Sequence, residues 1–453
     1  MEYLLYLCLF ACGTSFALAY KPDWEQHLNP SYISSQNGYG FHLYEHLGNL
    51  SPYFTPSNTP PSLKSGVPPT CTVDRAFLIV RHGSRQPISG ELPVIQNLSY
   101  YINNNSALFS SPQATVPLAF AFLAEDGWTS TFSLDNLTAP GRLQEFTHGV
   151  DFRLRYPQLY TNELLAGGQD RVAESAHWFA NGYYGRYANE TATLNIIGEN
   201  NKTISWITPM NTCANWSYSS GNDLVVTWGT IYLPQIAHRI NKLLDPVFPG
   251  VNFTPGHAHA MLYACAYGTA VYGLDASPWC PVFTSAEILD FEYELDLLMR
   301  GAFGYGLPNG QGPVLGSLLV SNMTSFMTSN ASTSANLSLS FAHDTAIDLG
   351  LTALGLAFDA EYPATGPPDP NRKWRTSRQV AFAAEMMWSR LSCANGTRLQ
   401  LMVDEANFDL SPVGCTADAY GTCALDDFLA TGKVKSAEAV RHGDARWVAA
   451  CGE

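Results

Sequence analysis

Charge is what this sequence has least of. Only 14% of its 453 side chains are charged, and 24 Lys plus Arg stand against 39 Asp plus Glu, for a formal net charge of −15. Such a surface repels a polyanion at neutral pH, which excludes nucleic acid as a partner. No C-x-x-C spacing occurs, which removes the usual thiolate zinc and dithiol redox classes. Beyond the N-terminus no run is apolar and long enough to span a bilayer, so no membrane partner is expected, and Trp447 to Glu453 is neither a hydrophobic tail nor a retention address. Internal repeats and coiled-coil heptads are missing too, and low complexity is confined to the Ser/Thr/Asn-rich stretch from Ser321 to Ser340.

What is there suits a large folded domain: 46% hydrophobic and 12% aromatic residues supply ample core. The isoelectric point near 5.1 means the negative field fades in mild acid, where a phosphorylated substrate approaches without penalty. Residues 1–19 read as a signal peptide, with an apolar run from Tyr3 to Cys12 and Ala17-Leu-Ala19 as the cleavage signal, although Glu2 stands where a basic residue is usual. Secretion is therefore expected. Eight cysteines remain in 20–453, an even number suited to disulfides in an oxidising compartment. Glycan acceptors are read at Asn49, Asn97, Asn104, Asn136, Asn189, Asn201, Asn215, Asn252, Asn322, Asn330, Asn336 and Asn395.

Along the chain, Ser51 to Thr70 is Pro-rich loop, and Arg75-Ala-Phe-Leu-Ile-Val80 follows as a strand buried on both faces. Thr138 and Pro140 open a helix whose apolar stripe is Leu143, Phe146, Val150 and Leu154; Asp170 caps a second helix carrying Val172, Ala176, Phe179 and Tyr183. Asn336 to Phe341 alternates as a half-buried strand, and Ile347 to Phe358 reads as a helix.

Two polar clusters sit at strand-to-helix junctions, where open α/β sheets place ligand sites. In Arg81-His82-Gly83-Ser84-Arg85-Gln86-Pro87, guanidinium forks match phosphate oxygens, Gly83 admits close backbone approach and His82 can attack phosphorus. The arginines also disfavour imidazolium and keep His82 nucleophilic in acid. The alternative is an ordinary surface turn. At the second junction stands His343-Asp344; taken alone, Asp344 reads equally as a helix N-cap, and Arg171 as a surface helix residue.

Arg-His-Gly-x-Arg-x-Pro followed late by His-Asp resembles the histidine acid phosphatases, the phytase-containing branch of the phosphoglycerate-mutase-like superfamily. The likeness extends to Asp135–Gly141, Gln169–Val172, Tyr305–Gly310 and Gly414–Cys423. It implies an α/β sandwich with a central mixed sheet and a smaller inserted α-helical domain, the helical cap falling between about residue 88 and residue 335. It implies a phosphohistidine on His82, phosphate held by Arg81, Arg85, Arg171 and His343, and Asp344 as proton donor to the leaving alcohol. It also implies the pairs Cys71 with Cys393, Cys213 with Cys451, Cys265 with Cys280 and Cys415 with Cys423. No metal or cofactor is expected, since arginines supply the neutralising charge.

Where phytases surround the centre with lysines, Ile88 to Tyr101 holds no Lys or Arg, and Ser285 to Glu292 is acidic. A broad acid phosphatase acting on small phosphomonoesters is thus favoured over a dedicated phytase. A mutase would move phosphate with the same histidine, and a catalytically silent glycoprotein would merely bind it; retention of both His82 and Asp344 weighs against the second. Arg441-His442-Gly443 lacks the preceding strand and the proline and is read as surface, His257-Ala-His259 as packed helix, and the acidic runs Asp426-Asp427 and Glu292–Asp296 as solvated.

Overall fold

The strand expected at Arg75–Val80 is β1, Cys71–Arg81, in a sheet whose other members are β2 (Glu163–Gly167), β3 (Thr193–Ile197), β4 (Leu337–Ala342), β5 (Glu385–Cys393), β6 (Gly396–Val403), β7 (Ala406–Phe408) and β8 (Cys423–Ala424). These come from a computed structural model that describes residues 41–329 and 335–452; the expected signal peptide and Asn330 lie outside the described residues. The strand order is β3-β2-β4-β1-β5-β6-β7, with β8 paired to β6. β1 to β4 pair in parallel and β5 to β8 antiparallel, so the sheet is mixed.

The main helices are α1 (Leu92–Asn104), α2 (Ala139–Arg155), α3 (Asp170–Tyr184), α4 (Ser219–Leu244), α5 (Pro255–Tyr272), α6 (Ser285–Phe303), α7 (Gln311–Thr328) and α8 (Asp344–Leu354). Phe77 and Ile79 of β1 face α7 and α8, whereas Ala76, Leu78 and Val80 face α2 and α3, so alternate residues of one strand feed two cores. A third core joins α1, α4, α5 and α6 into the helical unit. The interval 88–335 is therefore not one cap: α2, β2, α3 and β3 inside it belong to the sheet layers, and two stretches around them build the helical unit.

Local expectations need four corrections. β4 is buried on both sides, because it lies between β2 and β1; the serines of its alternation face a helix layer, not water. α2 turns inward Gly141, Glu145, His148, Gly149 and Phe152, leaving Phe146 39% and Leu154 75% exposed. The cause is a close crossing with α3: a Cβ on Gly149 would stand 2.1 Å from the Phe179 carbonyl oxygen, and one on Gly182 would stand 2.1 Å from that of Phe146. Asp170 is the first helical residue of α3 and adds negative charge to its first turn, while Gln169 occupies the cap position. The helix read from Ile347 starts at Asp344 and stops at Leu354, because Gly355 adopts the left-handed conformation. Thr138, by contrast, caps α2 by accepting from Gly141 N as expected.

Disulfides join Cys71 to Cys393, Cys213 to Cys451, Cys265 to Cys280 and Cys415 to Cys423. Cys71 and Cys393 face each other in the β1–β5 register, so the first bridge simply staples that pairing.

Among the described residues the carboxyls of Glu145, Asp348 and Asp404 are buried in or beside the sheet layers, and that of Glu385 is largely covered. Burial, then Glu405, pushes Glu385 from 4.5 up to about 8, and burial drives the other three well above their ordinary values. Groups raised on folding stabilise fully below the unfolded value and lose that contribution as pH rises through the folded one. Buried His82, His148 and His257 are shifted below the ordinary imidazole value by burial and act oppositely below about 6.5, but three groups oppose four. The melting temperature should therefore peak in mild acid and stand at least about 5 °C lower at pH 8. Glu385→Gln should flatten that slope in calorimetry between roughly pH 5 and 8; an unchanged slope would refute the assignment.

Candidate active site

Because β1 and β4 are parallel neighbours with Arg81 opposite Ala342, His82 and His343 leave the sheet side by side. Their rings meet edge-on at 5.5 Å between centroids. His82 is 2% exposed, and its Nδ1 lies 2.9 Å from the Gly83 carbonyl oxygen. That oxygen only accepts, so Nδ1 carries the hydrogen and Nε2 keeps the lone pair. Burial, reinforced by Arg171, Arg81, His343 and Arg85, takes the imidazole well below its ordinary pKa, so it stays neutral in acid. The signature loop is fixed from outside: Gly83 N donates to Ser175 Oγ at 3.1 Å, Ser84 N to Gln144 Oε1 at 2.9 Å, and Thr138 Oγ1 to the Ser84 carbonyl at 2.9 Å. Gly83 is required by this packing, since a Cβ there would come 2.5 Å from the Gly141 oxygen.

Three buried arginines surround the imidazole. Arg81 donates through Nη1 to the backbone oxygens of Asn49, at 2.5 Å, and Val380, and its guanidinium stacks 4.6 Å from the Phe382 ring centre. Burial lowers its pKa to about 10. Arg85 donates to Tyr267 Oη at 2.9 Å and lies 3.4 Å from Glu91 Oε2; burial alone would depress it, but Tyr267 and Glu91 raise it. Arg171 donates to both oxygens of Asp135 at 2.7 Å. The Nε–H groups of Arg81, Arg85 and Arg171 are buried and have no partner among the described residues. Buried unsatisfied donors on cations are suited to an anion. His343 Nε2 stands 2.9 Å from Glu199 Oε2, and burial, which would raise Glu199, is outweighed by this hydrogen bond, so Glu199 stays ionised and accepts.

Asp344 opens α8, with Thr345 N donating to Oδ1 at 3.0 Å. Its Oδ2 lies 2.9 Å from Arg81 Nη2 and accepts from Asn49 Nδ2 at 3.0 Å. Burial would raise this carboxyl, but Arg81 and Asn49 outweigh it and hold the free-site pKa low. A negatively charged ester beside it acts the other way, raising Asp344 toward protonation and competing for Arg81. The model of the histidine phosphatase superfamily, branch 2, matches residues 72–404, from β1 to just past β6.

The chain belongs to that family.

Similar curated proteins include a thiamine-repressible acid phosphatase of Schizosaccharomyces pombe, 28% identical across 86% of this chain and 87% of the relative, and a phytase of Candida albicans, 27% identical across 91% and 87%. Among solved structures, the phytase from D. castellii superposes with a TM-score of 0.78 at 23% identity over 93% of this chain and 92% of its own. The phosphate complex of Bifidobacterium longum multiple inositol polyphosphate phosphatase gives 0.61 at 15% over 89% and 99%. These likenesses place the fold in the histidine phosphatase class.

Within this branch 2 histidine phosphatase, two expectations fail. Asn49 is buried, and its amide nitrogen is committed to Asp344, so in the folded chain it is a site residue and not a glycan acceptor. Asn97, Asn104, Asn136, Asn189, Asn201, Asn215, Asn252, Asn322 and Asn395 are exposed; Asn336 is half-buried and bonded to Gln158 and Tyr160. The run Glu292–Asp296 is not solvated: Glu292 pairs with Arg372 and Arg375, Asp296 with Arg372, and Glu294 with Tyr232 and His259. Glu292 therefore cannot make the rim acidic. Asp426 and Asp427 are exposed, His257 completes a capping box with Thr254, and Arg441 lies on the surface. A cleft of about 720 Å³ between the N-terminal turns, α2 and α5 borders Ser84 but is lined by neither His82 nor Asp344.

Asn49, Asp135, Glu91, Tyr267, Glu199 and Phe382 were not singled out as site residues from sequence. Only Asp135 and Glu91 carried a local signal, the first inside a stretch resembling the family, the second in the cation-free segment after the signature.

Proposed function

We propose that this chain hydrolyses phosphomonoesters in acid through a phosphohistidine on His82. The lone pair of Nε2 forms the P–N bond as the P–O bond to the alcohol breaks, and Asp344 gives its proton to the departing oxygen. Water then attacks phosphorus, Asp344 takes the proton back, the P–N bond breaks and inorganic phosphate leaves. Arg81, Arg85, Arg171 and His343 hold the phosphoryl oxygens throughout. The observation carrying this reading is the buried, neutral His82, its Nε2 without a hydrogen-bond partner among the described residues, ringed by arginines whose Nε–H donors are likewise unpartnered there.

Simple monoesters are the favoured substrates. The carboxylates on the arginines are Asp135, Glu91 and Asp344, and no lysine bonds to any of these groups among the described residues, a poor setting for a polyphosphorylated leaving group. The named phytases among the relatives support phytate hydrolysis as the second reading. We infer secretion as the setting, supported by four disulfides and by the absence of a membrane-length apolar helix among the described residues.

Phosphate release from p-nitrophenyl phosphate and from phytate, followed from roughly pH 2.5 to 8 without added metal, tests this. Acid-optimal cleavage with the aryl ester at least about tenfold faster in kcat/KM supports a broad phosphatase; the reverse ratio makes it a phytase. A folded protein inert on both and on a wider monoester panel would end the enzyme reading.

A further inference from the structure

Asn49 lies on the turn Gly48–Leu50, which is packed against α6 and the turn Thr376–Arg378. Its Nδ2 reaches Asp344 Oδ2 at 3.0 Å and Met299 Sδ at 3.7 Å, and its backbone oxygen independently takes Arg81 Nη1. We propose that Asn49 is a positioning residue that sets the protonation of Asp344 and thereby the upper pH limit of hydrolysis. The second half rests on Asp344 being the proton donor.

Every donor on Oδ2 stabilises the carboxylate over the acid. Cations facing Asp344 come from the signature loop, Arg81 and Arg85, from its neighbour His343, and from Arg171 on α3; all favour the charged form. Asp348, one turn along the same helix and buried with no hydrogen-bond partner among the described residues, and Tyr218, which precedes α4, also face Asp344, but burial raises both, so they stay uncharged in acid and do not oppose these cations. Thr345 N is backbone, and Arg81 also serves the phosphate. Asn49 is thus the donor whose side chain can be removed with the phosphate grip intact, because Arg81 binds its backbone and not its amide.

Asn49→Leu should move the basic limb of the kcat/KM profile up by about one pH unit, a roughly fivefold gain when read one unit above the wild-type limb. The carboxyl ¹³C titration of Asp344, assigned by its loss in Asp344→Asn, should move by the same amount, while inhibition by inorganic phosphate stays within about twofold. Asn49→Ser, which also withdraws the amide but fills the site differently, carries the test if leucine disturbs folding. An unmoved Asp344 titration in a folded variant, or activity lost by one factor at every pH, overturns the proposal. A shifted titration in a protein that hydrolyses no monoester overturns the proton-donor assignment while upholding the hold of Asn49 on Asp344.

Discussion

Replacing His82 by alanine should reduce phosphate release by on the order of 10⁴-fold or more at every pH. His82 is the group available to form the bond to phosphorus, and nothing beside it substitutes: Glu199 is engaged by His343, and Asp344 by Arg81 and Asn49. The cavity left is small, and the arginines keep their carboxylate partners, so inorganic phosphate should still bind in calorimetry. Alkaline-quench labelling separates the outcomes. Wild type should accumulate an acid-labile phosphoenzyme and the variant none; a variant retaining a tenth of the wild-type rate would remove His82 from the chemistry.

Asp344→Asn should cost roughly 10²- to 10⁴-fold in kcat for alkyl phosphates, the usual contribution of a positioned general acid. For p-nitrophenyl phosphate the loss should be smaller, because that phenolate departs with little protonation, and the difference between the substrates is the diagnostic quantity. Arg81 also loses its counter-ion, so some weakening is common to all substrates. Equal losses for alkyl and aryl esters would mean that Asp344 acts through Arg81 alone. In the proposed mechanism activity requires the Asp344 carboxyl protonated, and since its pKa is held low in the free site, activity should fall as pH rises.

Where a residue's role follows from its immediate neighbours in the chain, it was legible. His82, Arg81 and Arg85 follow a continuous apolar strand, and the parallel pairing that brings His343 and Asp344 beside them follows the same rule at a second junction. The face of α2 was misread because glycine carries no apolar signal, yet two glycines permit the crossing with α3 that decides which side is buried. The run Glu292–Asp296 looks solvated in isolation because its cations lie 76 to 83 positions downstream. Asn49 looked like a glycan acceptor because Asp344 is 295 residues away.

The sequence by itself determined the family resemblance, the candidate residues Arg81, His82 and Arg85 and the strand that precedes them, since these rest on local pattern and residue chemistry. The tertiary structure alone decided the charge state of His82, the buried carboxyl networks, the split origin of the helical unit and the partner of Asp344. Those depend on which distant groups share a low-dielectric space, and burial fixes charge and hydrogen-bond partner only once the chain has brought them together.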